Sequence, residues 1–296
     1  MRQNLRRGAA YAVASAASLA ISATCIKAAA QYGVPNAVTV FFRSSVGLLL
    51  MLPWLLRNGF SGVRTQKLGG HLWRAMFGLL SMYCYFYAIA RLSLAEAVLL
   101  TYSMPLYVPF IAWLWLREKP SPTSLPSAIV GLIGIALIVK PGVAGFASLT
   151  ALIGAVSGFA AAMAMVSIRR ITNTEPASRV VFYFMLTATA VSSLPLPWSW
   201  QMPSTPAWLI LVAVGASATL GQLLITKAYA SAPAAQIGPF TYSSVVVAGL
   251  LGWLLWDEKP DVVSLAGIVL VICSCLLALY PARSRAPQPV ESAIDL

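Results

Sequence analysis

The chain has 296 residues, of which 59% are hydrophobic and only 9% are charged, whereas a soluble domain carries about 25% charged residues. So few charges cannot cover a soluble surface of this size, which excludes a soluble globular protein. The formal net charge of +12 at pH 7 would suit a nucleic-acid partner, but its distribution along the chain favours a membrane topology and no nucleic acid.

Long runs without Asp, Glu, Lys or Arg predict helices that cross a membrane. A helix needs about 20 apolar residues to span the hydrocarbon layer. The run 180–226 is long enough to span it twice, and the other such runs are 97–116, 121–139, 141–168, 228–256 and 262–282. The chain is therefore predicted to be an all-α membrane protein with many spans. The lipid bilayer is accordingly one of its predicted partners.

Ten transmembrane helices are predicted along the chain. Their approximate ranges are 8–30, 36–57, 72–92, 95–116, 122–140, 148–170, 179–197, 206–230, 233–256 and 262–281. The first range follows three arginines and resembles a signal peptide, but it is long and continues into further spans, so we expect an uncleaved helix. Pro105, Pro109 and Pro239 lie inside the fourth and ninth helices, where prolines predict kinks beside a cavity.

Two short motifs occur twice at the same spacing. Thr101-Tyr102-Ser103 returns as Thr241-Tyr242-Ser243, and Glu118-Lys119-Pro120 returns as Glu258-Lys259-Pro260, in each case 140 residues later. A fixed offset of nearly half the chain indicates an internal duplication. We therefore divide the chain into a first five-helix repeat at 1–142, a second at 143–281 and a tail at 282–296.

The basic residues predict the orientation of these helices. If the N-terminus lies in the cytoplasm, fifteen of the 20 Lys and Arg residues fall in cytoplasmic segments, four fall outside and Arg43 falls within a span. The positive-inside rule then places both termini and the tail in the cytoplasm. Because five is an odd number, the second repeat enters the membrane from the opposite side, and the two repeats are inverted. Inverted repeats are typical of secondary transporters.

These features resemble the drug/metabolite transporter superfamily in its EamA branch, which includes the bacterial aromatic amino acid exporters. The resemblance rests on ten helices in two halves, each with a fourth helix ending in Glu-Lys-Pro, and on the passage from Met82 to Ala97. It implies a multi-pass protein of the bacterial inner membrane. It also implies a path lined by helices three, four, eight and nine, with helices five and ten at the periphery as candidates for homodimer contacts.

Ionisable residues inside spans are functional candidates because they are costly there. Arg43 lies in the second helix, where it either binds a substrate carboxylate or pairs with Glu96. Lys27 and Lys227 lie near helix ends, where they either bind substrate or extend to the lipid headgroups.

Polar side chains at matching places in the two repeats complete the predicted substrate site. Tyr83 and Tyr87 share one face of the third helix, unless they belong to an interfacial aromatic belt. The offset pairs Tyr87 with Lys227 and Arg43 with Tyr183. The substrate-binding residues are predicted to be Arg43, Tyr83, Tyr87, Thr101, Tyr102, Tyr183, Gln222, Lys227, Thr241 and Tyr242.

The motifs that are missing narrow the function further. The sequence contains no Walker A motif, no G-x-S-x-G and no C-x-x-C pair, so we predict no ATP hydrolysis, no catalytic residues, no metal site and no cofactor. Glu118 and Glu258 are interpreted as structural anchors. We expect a non-enzymatic secondary transporter for a small molecule, in the first place an amino acid. The alternatives are a carrier for a nucleoside, a vitamin, S-adenosylmethionine or a cationic drug, and a non-transporting scaffold or receptor subunit.

Overall fold

The apolar runs of the sequence fold into helices. The structure, a computed structural model, describes residues 4–89, 91, 94–140, 149–257 and 259–280. The regular elements in these ranges are all helical. The predicted tail at 282–296, Glu258 and the side chain of Glu96 lie outside what it describes.

The helices of the first half cover residues 5–139. They are α1 (Leu5–Gln31), α2 (Asn36–Leu50), α3 (Leu52–Val63), α4 (Leu68–Ile89), α5 (Leu94–Thr101), α6 (Met104–Ile111), a π-helical turn (Ala112–Leu116) and α7 (Ser124–Val139).

The helices of the second half cover residues 149–279. They are α8 (Leu149–Ile171), α9 (Ala177–Ser193), α10 (Leu196–Ser199), α11 (Thr205–Ser231), α12 (Ala234–Ile237), a 3₁₀ helix (Gly238–Tyr242), α13 (Ser243–Trp256) and α14 (Val262–Leu279).

Seven helical segments of the described chain are long and apolar enough to cross a membrane. They are Leu5–Gln31, Asn36–Gly59, Ala97–Leu116, Leu149–Ile171, Thr205–Ser231, Ala234–Trp256 and Val262–Leu279. Ser124–Val139 is a shorter apolar helix. Helices α4 and α9 occupy the third and seventh predicted spans but are not among the seven. The chain is thus an all-helical protein with many candidate spans, and the arrangement of ten spans in two inverted repeats stays a prediction.

The fourth and ninth predicted helices are each interrupted at the duplicated motif, and we call them the two broken helices. The helix around residue 100 breaks at Tyr102 and Ser103, just before Pro105. The second copy of the motif lies in the 3₁₀ helix Gly238–Tyr242, which contains Pro239. Because proline removes a backbone donor, a helix loses regular hydrogen bonds at such a position. Regular α-helix is thus interrupted next to Pro105 and Pro239, whereas Pro109 lies inside α6 without a break.

Small residues determine which helices pack closely. Helix α1 lies along α11, where Ser15, Ser18 and Ser22 donate hydrogen bonds to backbone carbonyl oxygens of α11 at 2.8, 3.0 and 3.1 Å. Helix α7 lies along α14, and a Cβ atom added at Gly134 would lie only 2.7 Å from the carbonyl oxygen of Gly267. Such close backbone approach is typical of membrane helices, which gain little from hydrophobic burial.

Helix α8 packs along α4 in a third close pair. Helix α8 also carries Gly154-x-x-x-Gly158, and Cβ atoms at these positions would lie 2.7 Å from Cδ1 and 2.5 Å from the carbonyl oxygen of Leu100 in α5. Two small residues at this spacing allow α5 to approach α8 closely. The three pairs α1–α11, α4–α8 and α7–α14 surround the broken helices and leave a cavity beside them.

Candidate functional site

A cavity of about 380 Å³ lies in the centre of the helix bundle. Its wall is formed by α1, α2, α4, α8, α9, α11 and the two broken helices, and most of it is apolar. The polar residues that line it are Ser15, Ser22, Asn36, Thr39, Arg43, Arg74, Ser81, Tyr85, Thr101, Tyr102, Gln222, Thr241 and Ser244. This size and this mixture of a mostly apolar wall with a few polar groups are typical of small-molecule sites.

Arg74 of α4 is the most deeply buried charged group in this wall, with 2% of its surface exposed. Its Nη2 atom donates a hydrogen bond to Oε1 of Gln222 on α11 at 2.9 Å. Its guanidinium carbon lies 3.7 Å from the centre of the Phe184 ring, which is a cation–π contact. Gly78 makes room for it, because a Cβ atom there would lie 2.5 Å from Nη1.

Two donors of this guanidinium have no hydrogen-bond partner within the described part of the chain. They are the Nε and Nη1 atoms of Arg74. Leaving a buried donor unpaired costs about 1–3 kcal/mol, and more for a charged group. An arrangement this costly is expected where a ligand supplies the missing acceptors.

Arg43 of α2 is a second cation in the same cavity wall. It is half-buried, and its Nη1 atom lies 3.7 Å from the sulfur of Met82, which is a weak acceptor. The predicted alternative, a pair with Glu96, involves a side chain outside the described set. Among the lining side chains that the structure describes there is no Asp or Glu, so the wall carries two positive charges without a described counter-charge.

Hydroxyl groups from the broken helices form the other side of the cavity. Tyr102 and Ser244 share a hydrogen bond of 2.6 Å between their hydroxyl oxygens, which joins the two broken helices. The hydroxyls of Thr101 and Ser157 are also 2.6 Å apart. Thr241 donates to the carbonyl oxygen of Gly238 at 2.7 Å. Each hydroxyl still has acceptor capacity that a bound molecule can use.

The structure brings half of the predicted site residues together. Those that line the cavity are Arg43, Thr101, Tyr102, Gln222 and Thr241. The other five lie elsewhere in the described structure. Tyr83 and Tyr87 are 41% and 38% exposed on α4, and the guanidinium of Arg91 lies 3.8 Å from the centre of the Tyr87 ring.

The remaining three predicted residues have partners outside the cavity. Tyr183 donates to the carbonyl oxygen of Val63 at 2.8 Å and stacks on His71 with ring centres 4.6 Å apart. Tyr242 is fully buried and donates to the carbonyl oxygen of Ala128 at 3.0 Å. Lys227 is exposed, and its Nζ atom lies 5.9 Å from the centre of the Tyr11 ring.

Two further charged residues have distinct surroundings. The Nζ atom of Lys27 lies 4.3 Å from the centre of the Trp256 ring. Glu118 is an anchor, as predicted: its Oε1 accepts from Nε of Arg169 at 2.8 Å and its Oε2 accepts from the backbone N–H of Ala234 at 3.2 Å. The Glu118–Arg169 ion pair therefore joins the end of the first broken helix to α8 and to the start of the second.

Arg74, Ser81 and Tyr85 line the cavity but are not among the site residues predicted from the sequence. Arg74 is one of the fifteen basic residues that the positive-inside rule assigns to cytoplasmic segments. Yet Arg74, Gly78, Ser81 and Tyr85 follow one another at intervals of three or four residues, and such residues share one face of a helix. A polar stripe at this spacing on an otherwise apolar helix is the signal that could have found them. No group of three or more potential metal ligands occurs within the described residues.

Comparison with known proteins assigns the chain to a class. The sequence pattern of the EamA-like transporter family matches residues 6–140 and again residues 148–280. The pseudopaline exporter of Pseudomonas aeruginosa is 34% identical over 274 residues, which cover 92% of this chain and 95% of the relative. The riboflavin transporter of Vibrio cholerae is 27% identical, and the match covers 83% of this chain and 84% of the relative.

Two further similarities are more distant. The S-adenosylmethionine uptake transporter of Rickettsia felis is 24% identical over 85% of each chain. A protein of known crystal structure matches with a TM-score of 0.81 and 19% identity, covering 95% of this chain and 99% of the other. At this identity the solved structure shows the fold alone.

Proposed function

Because the chain belongs to the EamA-like transporter family of the drug/metabolite transporter superfamily, we propose that it is a secondary transporter of a small metabolite, in the first place an amino acid. The observation that carries this proposal is the central cavity with the buried Arg74, whose Nε and Nη1 atoms have no described partner. A carboxylate is the acceptor that a guanidinium binds best, and an amino acid supplies one.

The proposed mechanism is alternating access between two inverted repeats, 1–142 and 143–281. The family pattern matches once in each half. Under the 140-residue offset α1 corresponds to α8, and α4 corresponds to α11. The close pair α1–α11 of the structure is therefore equivalent to the close pair α8–α4. This relation supports two similar halves, and exchanging their conformations would exchange which side of the cavity is open.

The proposed orientation places both termini in the cytoplasm of a bacterium, with the protein in the inner membrane. The exposed Asn36 then lies at the outer end of α2, where it belongs to the cavity wall. The Glu118–Arg169 ion pair lies at the opposite, cytoplasmic end. In this orientation the cavity wall reaches the outer end of α2. Fusions of a periplasm-activated reporter to the C-terminus test it, and activity of that reporter would contradict it.

The substrate site is proposed to contain the predicted residues that line the cavity, which are Arg43, Thr101, Tyr102, Gln222 and Thr241, together with Arg74. The test is uptake of labelled amino acids into liposomes that contain the purified protein. We expect saturable flux that Arg43→Ala lowers while the variant keeps its folded elution profile. Absence of flux across a broad amino-acid panel would overturn the amino-acid proposal.

A second candidate is a carrier for another metabolite class. It is favoured by relatives that are named as riboflavin and S-adenosylmethionine transporters. A panel that includes these compounds, nucleosides and cationic drugs distinguishes the two. Helices α7 and α14, which correspond to predicted helices five and ten, are proposed as the surface of a homodimer, and mass determination in detergent tests that proposal.

A further inference from the structure

Two guanidinium groups from different helices line one cavity. Arg43 comes from α2 and Arg74 from α4. Their described partners carry no charge, because Arg43 contacts the sulfur of Met82 at 3.7 Å and Arg74 donates to the side-chain oxygen of Gln222 at 2.9 Å. The described lining residues include no carboxylate. The cavity wall therefore carries two positive charges that its described side chains do not neutralise.

Such an arrangement requires negative charge from elsewhere. A charge inside a membrane protein is costly unless it is paired, and the cost rises when like charges share a cavity. Arg74 has two buried donor atoms, Nε and Nη1, without a described partner. One monocarboxylate brings a single negative charge, which balances only one of the two positive charges. A ligand with two acidic groups pairs both.

The rest of the wall indicates what lies between the two acidic groups. Leu19, Val40, Met104, Met165 and Ile225 line the same cavity and offer apolar surface. Apolar walls favour a carbon skeleton over a compact inorganic ion. Guanidinium groups match the planar carboxylate with two parallel hydrogen bonds.

We propose that the substrate is a metabolite with two carboxylates, one bound by Arg43 and the other by Arg74. This inference rests on the proposed transport function and adds the charge of the substrate to it. It makes Arg74, which the sequence analysis did not single out, a residue that determines specificity. Gln222 and Phe184 position its guanidinium.

The test compares acids with their amides, which have nearly the same size. Liposomes containing the purified full-length chain are assayed for uptake of L-glutamate, L-aspartate and succinate against L-glutamine, L-asparagine and succinamate. We expect kcat/KM to be at least about tenfold higher for the preferred dicarboxylate than for its amide, as for the loss of a charge-assisted hydrogen bond. sn-Glycerol 3-phosphate tests whether a phosphate monoester serves instead.

Variants connect this preference to the two arginines. Arg43→Gln and Arg74→Gln are expected to lower the ratio of acid to amide to about one, whereas Arg74→Lys keeps part of it because it keeps the charge. Arg170→Gln is the matched control, since Arg170 lies outside the cavity lining with its guanidinium carbon 5.0 Å from the centre of the Trp115 ring. The control should retain the full ratio.

The outcomes separate this inference from the function on which it rests. Equal transport of acids and amides, or of neutral amino acids alone, would overturn the two-carboxylate substrate and leave transport standing. Uptake of glycerol 3-phosphate alone would also overturn it. An Arg74→Gln variant that is folded and keeps the preference would remove Arg74 from the site. No flux of any probe would overturn both proposals.

Discussion

Arg74 Nη2 donates to Gln222 Oε1 at 2.9 Å, and this hydrogen bond links α4 to α11 in the wall of the central cavity. Residues 68–89 of α4 correspond to 208–229 of α11 under the 140-residue offset, so the contact joins equivalent helices of the two halves. It fixes the guanidinium by one amide oxygen and leaves Nε and Nη1 without a described partner. The positive charge of Arg74 is thereby oriented but not neutralised.

Gln222→Glu should neutralise that charge. The new carboxylate has the shape of the amide and would form an ion pair with Arg74 within the cavity wall. We expect the apparent KM for an anionic substrate to rise at least about tenfold, because the substrate then competes with a fixed carboxylate. The melting temperature should stay equal or rise, since the variant adds a counter-charge. Uptake into liposomes and thermal unfolding in detergent measure these two effects.

Gln201→Glu is the control for this substitution, because Gln201 is exposed and does not line the cavity. It should change neither quantity. Unchanged KM in a folded Gln222→Glu variant would mean that Arg74 does not contact the substrate.

Gly158→Ala should weaken the contact between α8 and the first broken helix. A Cβ atom at this position would lie 2.5 Å from the carbonyl oxygen of Leu100 and 2.6 Å from Oγ of Ser103. The backbone carbonyl cannot rotate away, so the helices must separate. We expect a loss of about 1–3 kcal/mol in the free energy of unfolding, measured by denaturation in detergent.

Gly249→Ala is the matched control, because nothing lies within 4 Å of a Cβ atom at Gly249 in α13. Alanine is the better helix former, so this variant should be as stable as the wild type or gain up to about 1 kcal/mol. An equal loss in the free energy of unfolding in both variants would show that the close approach at Gly158 does not contribute to stability.

The sequence identified the apolar helices well, because their length and hydropathy are local properties. It also identified Thr101 and Thr241, since a motif that recurs at proline-rich helix breaks indicates a cavity. It did not identify Arg74. The face of α4 that meets the cavity depends on how α8, α9 and α11 pack around it, and the position of a charge near the end of a span does not reveal this.

The repeat itself gave a misleading signal at one position. Tyr102 and Tyr242 occupy equivalent positions of the two repeats, yet Tyr102 lines the cavity and shares a hydrogen bond with Ser244. Tyr242 is fully buried and donates to the carbonyl oxygen of Ala128 in α7. In a single conformation of an alternating-access protein, the two halves pack differently, so equivalent residues have different neighbours. Sequence symmetry therefore predicted both tyrosines as site residues, and packing separates them.

Arg169→Ala should destabilise the end of the bundle where the broken helices meet α8. The substitution removes the partner of Glu118 Oε1 and the donor to the carbonyl oxygens of Tyr229 and Ala230. We expect a loss of about 2 kcal/mol in the free energy of unfolding, less than for a fully buried pair, because the Glu118 side chain is 22% exposed. Denaturation of the single and double alanine variants of Glu118 and Arg169 measures the coupling, and strictly additive losses would contradict it.

Glu175 should make stability depend on pH in the acid range. It lies in the loop between α8 and α9, where burial raises the pKa of its carboxyl. Hydrogen bonds from Thr65 at 2.7 Å and Arg179 at 2.5 Å, with the charges of Arg179 and the nearby His71, outweigh burial and bring the pKa below its ordinary value of 4.5. The unfolded chain therefore binds the proton more readily than the folded chain does.

It follows that the stabilisation from Glu175 is fully present above pH 4.5 and is lost as the pH falls through the lower pKa of the folded state. We expect Glu175→Gln to lower the melting temperature at pH 7. The gap between the variant and the wild type should narrow as the pH falls below about 4.5, because the unfolded wild-type chain then binds a proton that the folded chain binds only at lower pH. Thermal unfolding in detergent from pH 7 to pH 3.5 measures this gap. A gap that stays constant across the range would show that the hydrogen bonds of Glu175 do not depend on its charge.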